Sequence, residues 1–256
     1  MIPKTLHYCW MSGDPFPPKI QKCVDSWKKH LPEYELVLWN YDRFPRGASS
    51  WVDQAFDAKK YAFASDFLRF YAVFHHGGIY LDCDVEAVKN FDALLRLPYF
   101  ISVENEADVT PEPAFFGAPK GCPWVGDCMD WYQNKNFARP DGTMDMTVLP
   151  VVMKKNVFAG RRMLKPVSGL DDIRSDADIL FLLPREFSNS LNLVGKPPPI
   201  THAVHHYDSA WMPPRERTLN NIFKPVSKVL RILLGKSLFI KGRACFHRVL
   251  SRVLPG

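Results

Sequence analysis

The spacing of apolar positions divides the chain into short strands and helices that alternate from the start. Ile2 to Trp10 is apolar and β-compatible, and it runs into MSGDPFPP, a loop marked by Gly13 and three prolines. Helical spacing predicts a helix from about Pro18 to His30, ending before Pro32, and YELVLWN (34–40) reads as a second strand. Strand, helix and strand in this order predict a βαβ start and hence an α/β sheet. The segment 51–65 reads as helical, and Ser65 as the N-cap of a further helix, DFLRFYAVFHH, stopped by Gly77. That helix is apolar nearly all round, which predicts burial. In GGIYLDCDVE (77–86), strand alternation puts Ile79, Leu81, Cys83 and Val85 on one face and Tyr80, Asp82, Asp84 and Glu86 on the other. Beyond it the pattern predicts a helix or turn near 90–96, a strand in YFISVEN, loops in FFGAPKGCPW, helices at Val125–Gln133 and about Asp145–Lys155, and a strand in ILFLLP. THAVHHYDSAWMPP holds too many prolines and polar residues for an element to be assigned.

Composition fits one sizeable core: 256 residues, 46% hydrophobic and 13% aromatic, are those of a globular protein. The N-terminus lacks the basic region and apolar stretch of a signal peptide, and six scattered cysteines without metal spacing read as reduced thiols, so a cytoplasmic protein is expected. Charge divides the chain. Residues 215–256 hold ten Lys or Arg against the single acid Glu216, whereas residues 1–214 carry 23 basic and 26 acidic side chains. The apolar residues of that tail recur at helical spacing, so two domains are expected, 1–214 catalytic and 215–256 a basic amphipathic helical segment. Such a segment suits the anionic inner face of a membrane. Packing on the first domain, with its charge turned to water, is the alternative. Nucleic acid is not expected as a partner, since Phe223, Phe239 and Phe246 are the tail's only aromatics available for stacking.

Like charges gathered at a strand end destabilise one another unless a cation or a hydrogen-bond network offsets them. Asp82 and Asp84, at i and i+2, are oxygen ligands suited to Mg²⁺ or Mn²⁺ together with phosphate oxygens. Solvated residues at a strand end are the plainer reading of a lone DxD. Asp66 and Arg69 stand three apart on an otherwise apolar helix, where a charge is costly unless paired.

The blocks IPKTLHYCW, SWKKHLPEYELVLWN and above all AFASDFLRFYAVFHHGGIYLDCDVE, with HHYDSAW as a weaker match, resemble glycosyltransferase family 32. That family holds the yeast-type initiating mannosyltransferase, α-galactosyltransferases of glycolipid synthesis and bacterial capsule enzymes, and is similar to the clostridial glucosylating toxins. The resemblance implies a GT-A fold, with a mixed, mostly parallel central sheet flanked by helices. It also implies a nucleotide-sugar donor, a divalent metal and retention of anomeric configuration. Asp82 would bind the donor and help the metal, Asp84 would be the direct ligand, and Asp66 and Arg69 would hold sugar hydroxyls, with Arg69 also meeting the diphosphate. Tyr80 would line the donor pocket and Trp10 would stack on the base. His206, Ser209 and Trp211 match the residues that close the site in the toxin-like relatives, His206 standing where they place a carboxylate; whether His206 or His205 is the ligand is left open by the sequence. Glu104 and Glu106 are the candidates if a second carboxylate takes part. DGTMDMT (141–147) departs from the family's Gly-Pro pair on the acceptor side, and Asp145 is the candidate there. The function so implied is transfer of a hexose, from a UDP-sugar in preference to a GDP-sugar, to a lipid-linked saccharide in bacterial surface polysaccharide synthesis. A catalytically silent, membrane-associated sugar-nucleotide or polysaccharide binder is the other class considered.

Overall fold

The computed structural model of the chain describes residues 1–105, 108–158, 162–188 and 198–208. Residues 1–208 form one compact unit; the expected boundary near 214, the basic tail, Ser209 and Trp211 lie outside the described residues. No helix among the described residues is long and apolar enough to cross a membrane.

The chain opens with β1 (Thr5–Cys9), α1 (Pro18–His30) and β2 (Glu35–Trp39), and β1 and β2 pair in parallel, so the expected βαβ unit is present. Pro18 starts α1, where a missing N–H costs nothing, and Ile20, Cys23, Val24 and Trp27 form its buried stripe. The next helical stretch is two helices, α2 (Ser50–Asp57) and α3 (Tyr61–His76). Ser49, not Ser65, caps: its side chain accepts from Val52 N–H and starts α2. Ser65 lies inside α3 and donates its hydroxyl to Ala62 O at 2.7 Å, which corrects the expected N-cap. The burial expected of α3 is observed, with Phe63, Ala64, Phe67, Leu68, Phe70, Ala72 and Val73 all in the core.

After α3 come β3 (Gly78–Leu81), β4 (Val85–Ala87), β5 (Phe100–Asn105) and β6 (Thr110–Ala118), then α4 (Pro123–Tyr132) and α5 (Leu149–Val152), which widens into a π-type turn through Phe158. The remaining strands are β7 (Met163–Pro166), β8 (Ile179–Leu182) and β9 (Ala203–His205). The central sheet has the order β2-β1-β3-β6-β5. β1 pairs in parallel with β2 and β3, while β6 runs antiparallel to both β3 and β5. Four strands therefore point one way and β6 the other, the mixed, mostly parallel sheet expected. FFGA, expected as loop, is the paired end of β6; Pro111 and Pro113 fall where its ladder to β5 is irregular.

Chain order runs from β1 outward to β2 and then back across β1 to β3. The crevice beyond the carboxyl ends of β1 and β3 is thus a topological switch point, where open α/β sheets bind ligands. Trp10 follows β1 and Asp82 follows β3 at this edge.

The twin glycines fix how closely β3 approaches β1. Gly78 has φ +110°, and a Cβ there would stand 2.6 Å from Thr5 O and 3.2 Å from the His7 ring. Gly78→Ala is expected to lower stability by about 1–3 kcal/mol or more through backbone strain and the forced separation of the strands. The urea midpoint measures this, and a midpoint equal to that of the unchanged protein would contradict it.

Candidate functional site

At the end of β3 the chain turns sharply. Asp82 N–H donates to Ala114 O on β6 (2.9 Å), and Val85 N–H turns back to Asp82 O (3.0 Å). β4 then leaves the central sheet to pair with β9. The single strand expected across 77–86 is therefore two strands around an Asp-Cys-Asp turn: Asp82 N–H still follows the ladder to β6, and the bond from Val85 N–H back to Asp82 O turns the chain toward β9.

Beneath the turn lies a buried charge network. Arg69 and Asp66, on the α3 face toward the sheet, are an ion pair at 2.9 Å with side chains 6% and 9% exposed. Arg69 also reaches Asp82 Oδ2 at 3.3 Å and lies over the Tyr80 ring at 4.8 Å. All five of its N–H groups are engaged: Nε with Ser65 O, Nη1 with Asp82 and Pro113 O, Nη2 with Ser65 Oγ and Asp66. Expected to meet the diphosphate, Arg69 here directs these donors to Ser65, Asp66, Asp82 and Pro113 O. Tyr80, expected to line the donor pocket, is 1% exposed; its hydroxyl donates to Asp82 Oδ1 at 2.7 Å, so with Arg69 it fixes the Asp82 carboxylate. Asp66 takes only Arg69, on Oδ1, among the described residues. Burial pushes its carboxyl up to about 7 against the pull of Arg69. Burial also raises Asp82, with Arg69 opposing and Asp84 adding to the rise.

The strap on the other side is β9 and the residues after it. Val85 pairs with His205 and Ala87 with Ala203. His205 puts Nε2 3.4 Å from Asp84 Oδ1 and Nδ1 3.3 Å from Glu112 Oε2. His206 turns the other way and meets Glu86 Oε2 at 2.9 Å, as neighbours at a strand end must. Of the two histidines the sequence left open, His205 therefore stands with Asp82 and Asp84, and His206, the one named as metal ligand there, stands with Glu86. Asp84 Oδ2 accepts from Asp208 N–H at 2.7 Å. Burial tends to raise Asp84, but His205 and that N–H outweigh it and hold the carboxylate well below its ordinary range. His205 is shifted well above its ordinary value, because Asp84 and Glu112 on its two nitrogens outweigh burial.

Ligand atoms of Asp82, Asp84 and His205 all lie within 4.8 Å of one another. Two carboxylates and an imidazole suit Mn²⁺, or Mg²⁺ with more water, and such a set leaves coordination positions for phosphate oxygens. Asp82, 27% exposed, is the most open of the three, and Asp84 and His205 lie deeper at 14% and 12%. The donor set therefore fits a divalent cation.

Trp10 is half-buried just past β1, its Nε1 donating to Asp14 O and its ring edge-on to Phe16 at 4.8 Å. Glu104 is half-buried on β5 and is pushed up to about 8 by burial and by Glu112; Glu106 lies outside the described residues. Asp145 bonds Thr147 N–H and Arg139, a local turn. Glu112, 1% exposed on β6, belongs to the site and escaped sequence reasoning. Its only signal was a carboxylate in a strand of otherwise apolar residues and prolines.

Residues 17–101 match a family described as the glycosyltransferase sugar-binding region containing the DXD motif. Over 118 residues the chain is 30% identical to the mannosyl phosphorylinositol ceramide synthase CSH1 of Saccharomyces cerevisiae, covering 43% of this chain and 30% of that one. It is 29% identical over 132 residues to the inositol phosphoceramide mannosyltransferase 3 of Schizosaccharomyces pombe, covering 48% and 35%. The chain thus spans about a third of the length of these curated relatives. Among solved structures, the PaToxG glycosyltransferase superposes with a TM-score of 0.44 at 20% identity, over 61% of this chain and 71% of that one. The stretch from α1 into β5 is thus similar to the DXD-containing sugar-binding region of glycosyltransferases, and the DXD it holds is Asp82-Cys83-Asp84.

Proposed function

We propose that the protein is a metal-dependent, retaining hexosyltransferase that uses a nucleoside-diphosphate sugar. The observation that carries this reading is the gathering of Asp82, Asp84 and His205 within 4.8 Å at the switch point, inside the segment that matches the DXD family. Asp84 and His205 would hold the cation directly and Asp82 would share between it and the donor. A bound cation supplies charge neutralisation for the departing diphosphate.

The chain's own residues do the rest. Arg69 and Tyr80 lock the Asp82 carboxylate in place, so its orientation costs no reorganisation during the reaction. The second Asp66 carboxylate oxygen, without a partner among the described residues, accepts a hydroxyl of the transferred sugar. Trp10, at the end of β1, offers its face to the base. The bond from the anomeric carbon to the diphosphate oxygen breaks. The acceptor hydroxyl oxygen then bonds to that carbon on the same face, and its proton passes to the departing diphosphate. Same-face attack is preferred over a double displacement, as the family resemblance implies, and burial with Glu112 nearby disfavours the ionised form of Glu104 that a nucleophile needs.

The acceptor is put as a lipid-linked saccharide. Two supports are the lipid in the relatives' names and the basic excess of residues 215–256, which favours an anionic surface. The same names speak for mannose from a guanosine donor, against the uridine preference read in the sequence, so both belong in the test. UDP- and GDP-hexoses are incubated with the protein and a lipid-linked acceptor, with Mn²⁺ or with EDTA. Nucleoside diphosphate released from one of them, with labelled sugar in the organic phase and none with EDTA, is the expected result. Tight donor binding without release from any donor would replace the enzyme with a silent binder.

A further inference from the structure

The cation reading just given leaves one buried charge unused. Glu112 is 1% exposed, on the stretch of β6 that runs past the end of β3. Such a carboxylate is retained only where hydrogen bonds satisfy it. Its Oε1 accepts from Ala114 N–H at 3.1 Å, and its Oε2 accepts from the Tyr207 hydroxyl at 2.7 Å and faces His205 Nδ1 at 3.3 Å. The Tyr207 ring stacks on the His205 ring with centroids 3.8 Å apart. The imidazole is thus held in its plane by one neighbour and in its rotation by the other.

We propose that Glu112, pinned by Tyr207, is the positioning residue that makes His205 a metal ligand. A carboxylate only accepts, so Glu112 keeps the proton on Nδ1 and leaves Nε2, which faces Asp84 at 3.4 Å, as the nitrogen that gives up its proton to a cation in the space shared with Asp82 and Asp84. It also adds negative charge behind the ring, which strengthens Nε2 as a donor. Partners of this kind behind a ligating histidine are worth roughly 10- to 100-fold in metal affinity. The inference rests on the cation reading of the DXD site and adds to it a residue outside the matched segment.

The test titrates Mn²⁺ into the full chain and follows free Mn²⁺ by its paramagnetic resonance, for the unchanged protein, Glu112→Gln and Tyr207→Phe. Glu112→Gln is expected to weaken Mn²⁺ binding about 10- to 100-fold, and Tyr207→Phe to weaken it less, because the charge remains. Equal affinity of Glu112→Gln and the unchanged protein overturns the role of Glu112 and leaves the cation site standing. No binding by the unchanged protein overturns the cation site itself, and this role with it. Nitrogen-15 spectra of the unchanged protein serve should Glu112→Gln fail to fold. Nδ1 protonated, with Nε2 the nitrogen that shifts on addition of Mg²⁺, supports the role; the opposite tautomer overturns it.

Discussion

Asp84→Asn is expected to reduce kcat/KM for sugar transfer by about 100- to 1,000-fold, equivalent to roughly 3–4 kcal/mol of lost transition-state stabilisation. The fold should survive the change. Asn keeps an oxygen for the Asp208 N–H that Asp84 Oδ2 accepts at 2.7 Å, and its amide can face His205 Nε2, now 3.4 Å from Asp84 Oδ1. What the substitution removes is the charge. Among the cluster's carboxylates, Asp84 is the one held below its ordinary range, whereas burial raises Asp82. Asp84 is therefore the group that is reliably anionic before any cation arrives. Initial rates at saturating Mn²⁺, with thermal unfolding as the control, make the measurement. More than a tenth of the activity retained by a folded variant would refute the assignment of Asp84 as the direct ligand.

How far the sequence foretold this arrangement follows from the range of the interactions. Local signals were legible. Pro18 and Pro32 bracket α1 and its apolar stripe marks the buried face, and the Gly77–Gly78 pair marks the α3-to-β3 corner that the positive φ values require. The cost of an unpaired charge on an apolar helix also announced the Asp66–Arg69 pair. Long-range partners were not legible. Alternation extends through Val85 and Glu86, yet the strand breaks after Asp82 because Val85 N–H turns back to Asp82 O and β4 pairs with the distant β9. His205 and His206 are equivalent in sequence, and only the pairing of Val85 with His205 decides which one faces Asp84. Glu112 lies in TPEPAFFGA, whose prolines argue against a central strand, and its partners His205 and Tyr207 are over ninety residues away. Arg69 shows the same division: its pairing with Asp66 was readable at i and i+3, but its contacts with Asp82 and Pro113 O were not. Those contacts tie Arg69 to the acidic turn as well as to its own helix.

Arg69→Met follows from that last point, and its expected result is a loss of about 3–5 kcal/mol in stability at pH 8, the usual cost of breaking a buried ion pair by removing one partner. The loss should shrink as pH falls. Asp66 already has its carboxyl pushed up to about 7 by burial with Arg69 beside it, and removing the guanidinium takes away the opposing pull and raises it further. An aspartate in the unfolded chain titrates near 4. Between that value and the higher folded value the folded state binds more protons than the unfolded one, so stability is greatest at low pH and declines as pH rises through the window. The variant at pH 5 holds Asp66 neutral and escapes most of the penalty of an unpaired buried charge; at pH 8 it does not. Urea unfolding of the variant and the unchanged protein at the two values reads the difference directly. A deficit that is the same at pH 5 and pH 8 would mean that Asp66 is not the group left stranded. The stability of this helix would then come from the packing of Arg69's aliphatic stem rather than from the charge network that fixes Asp82.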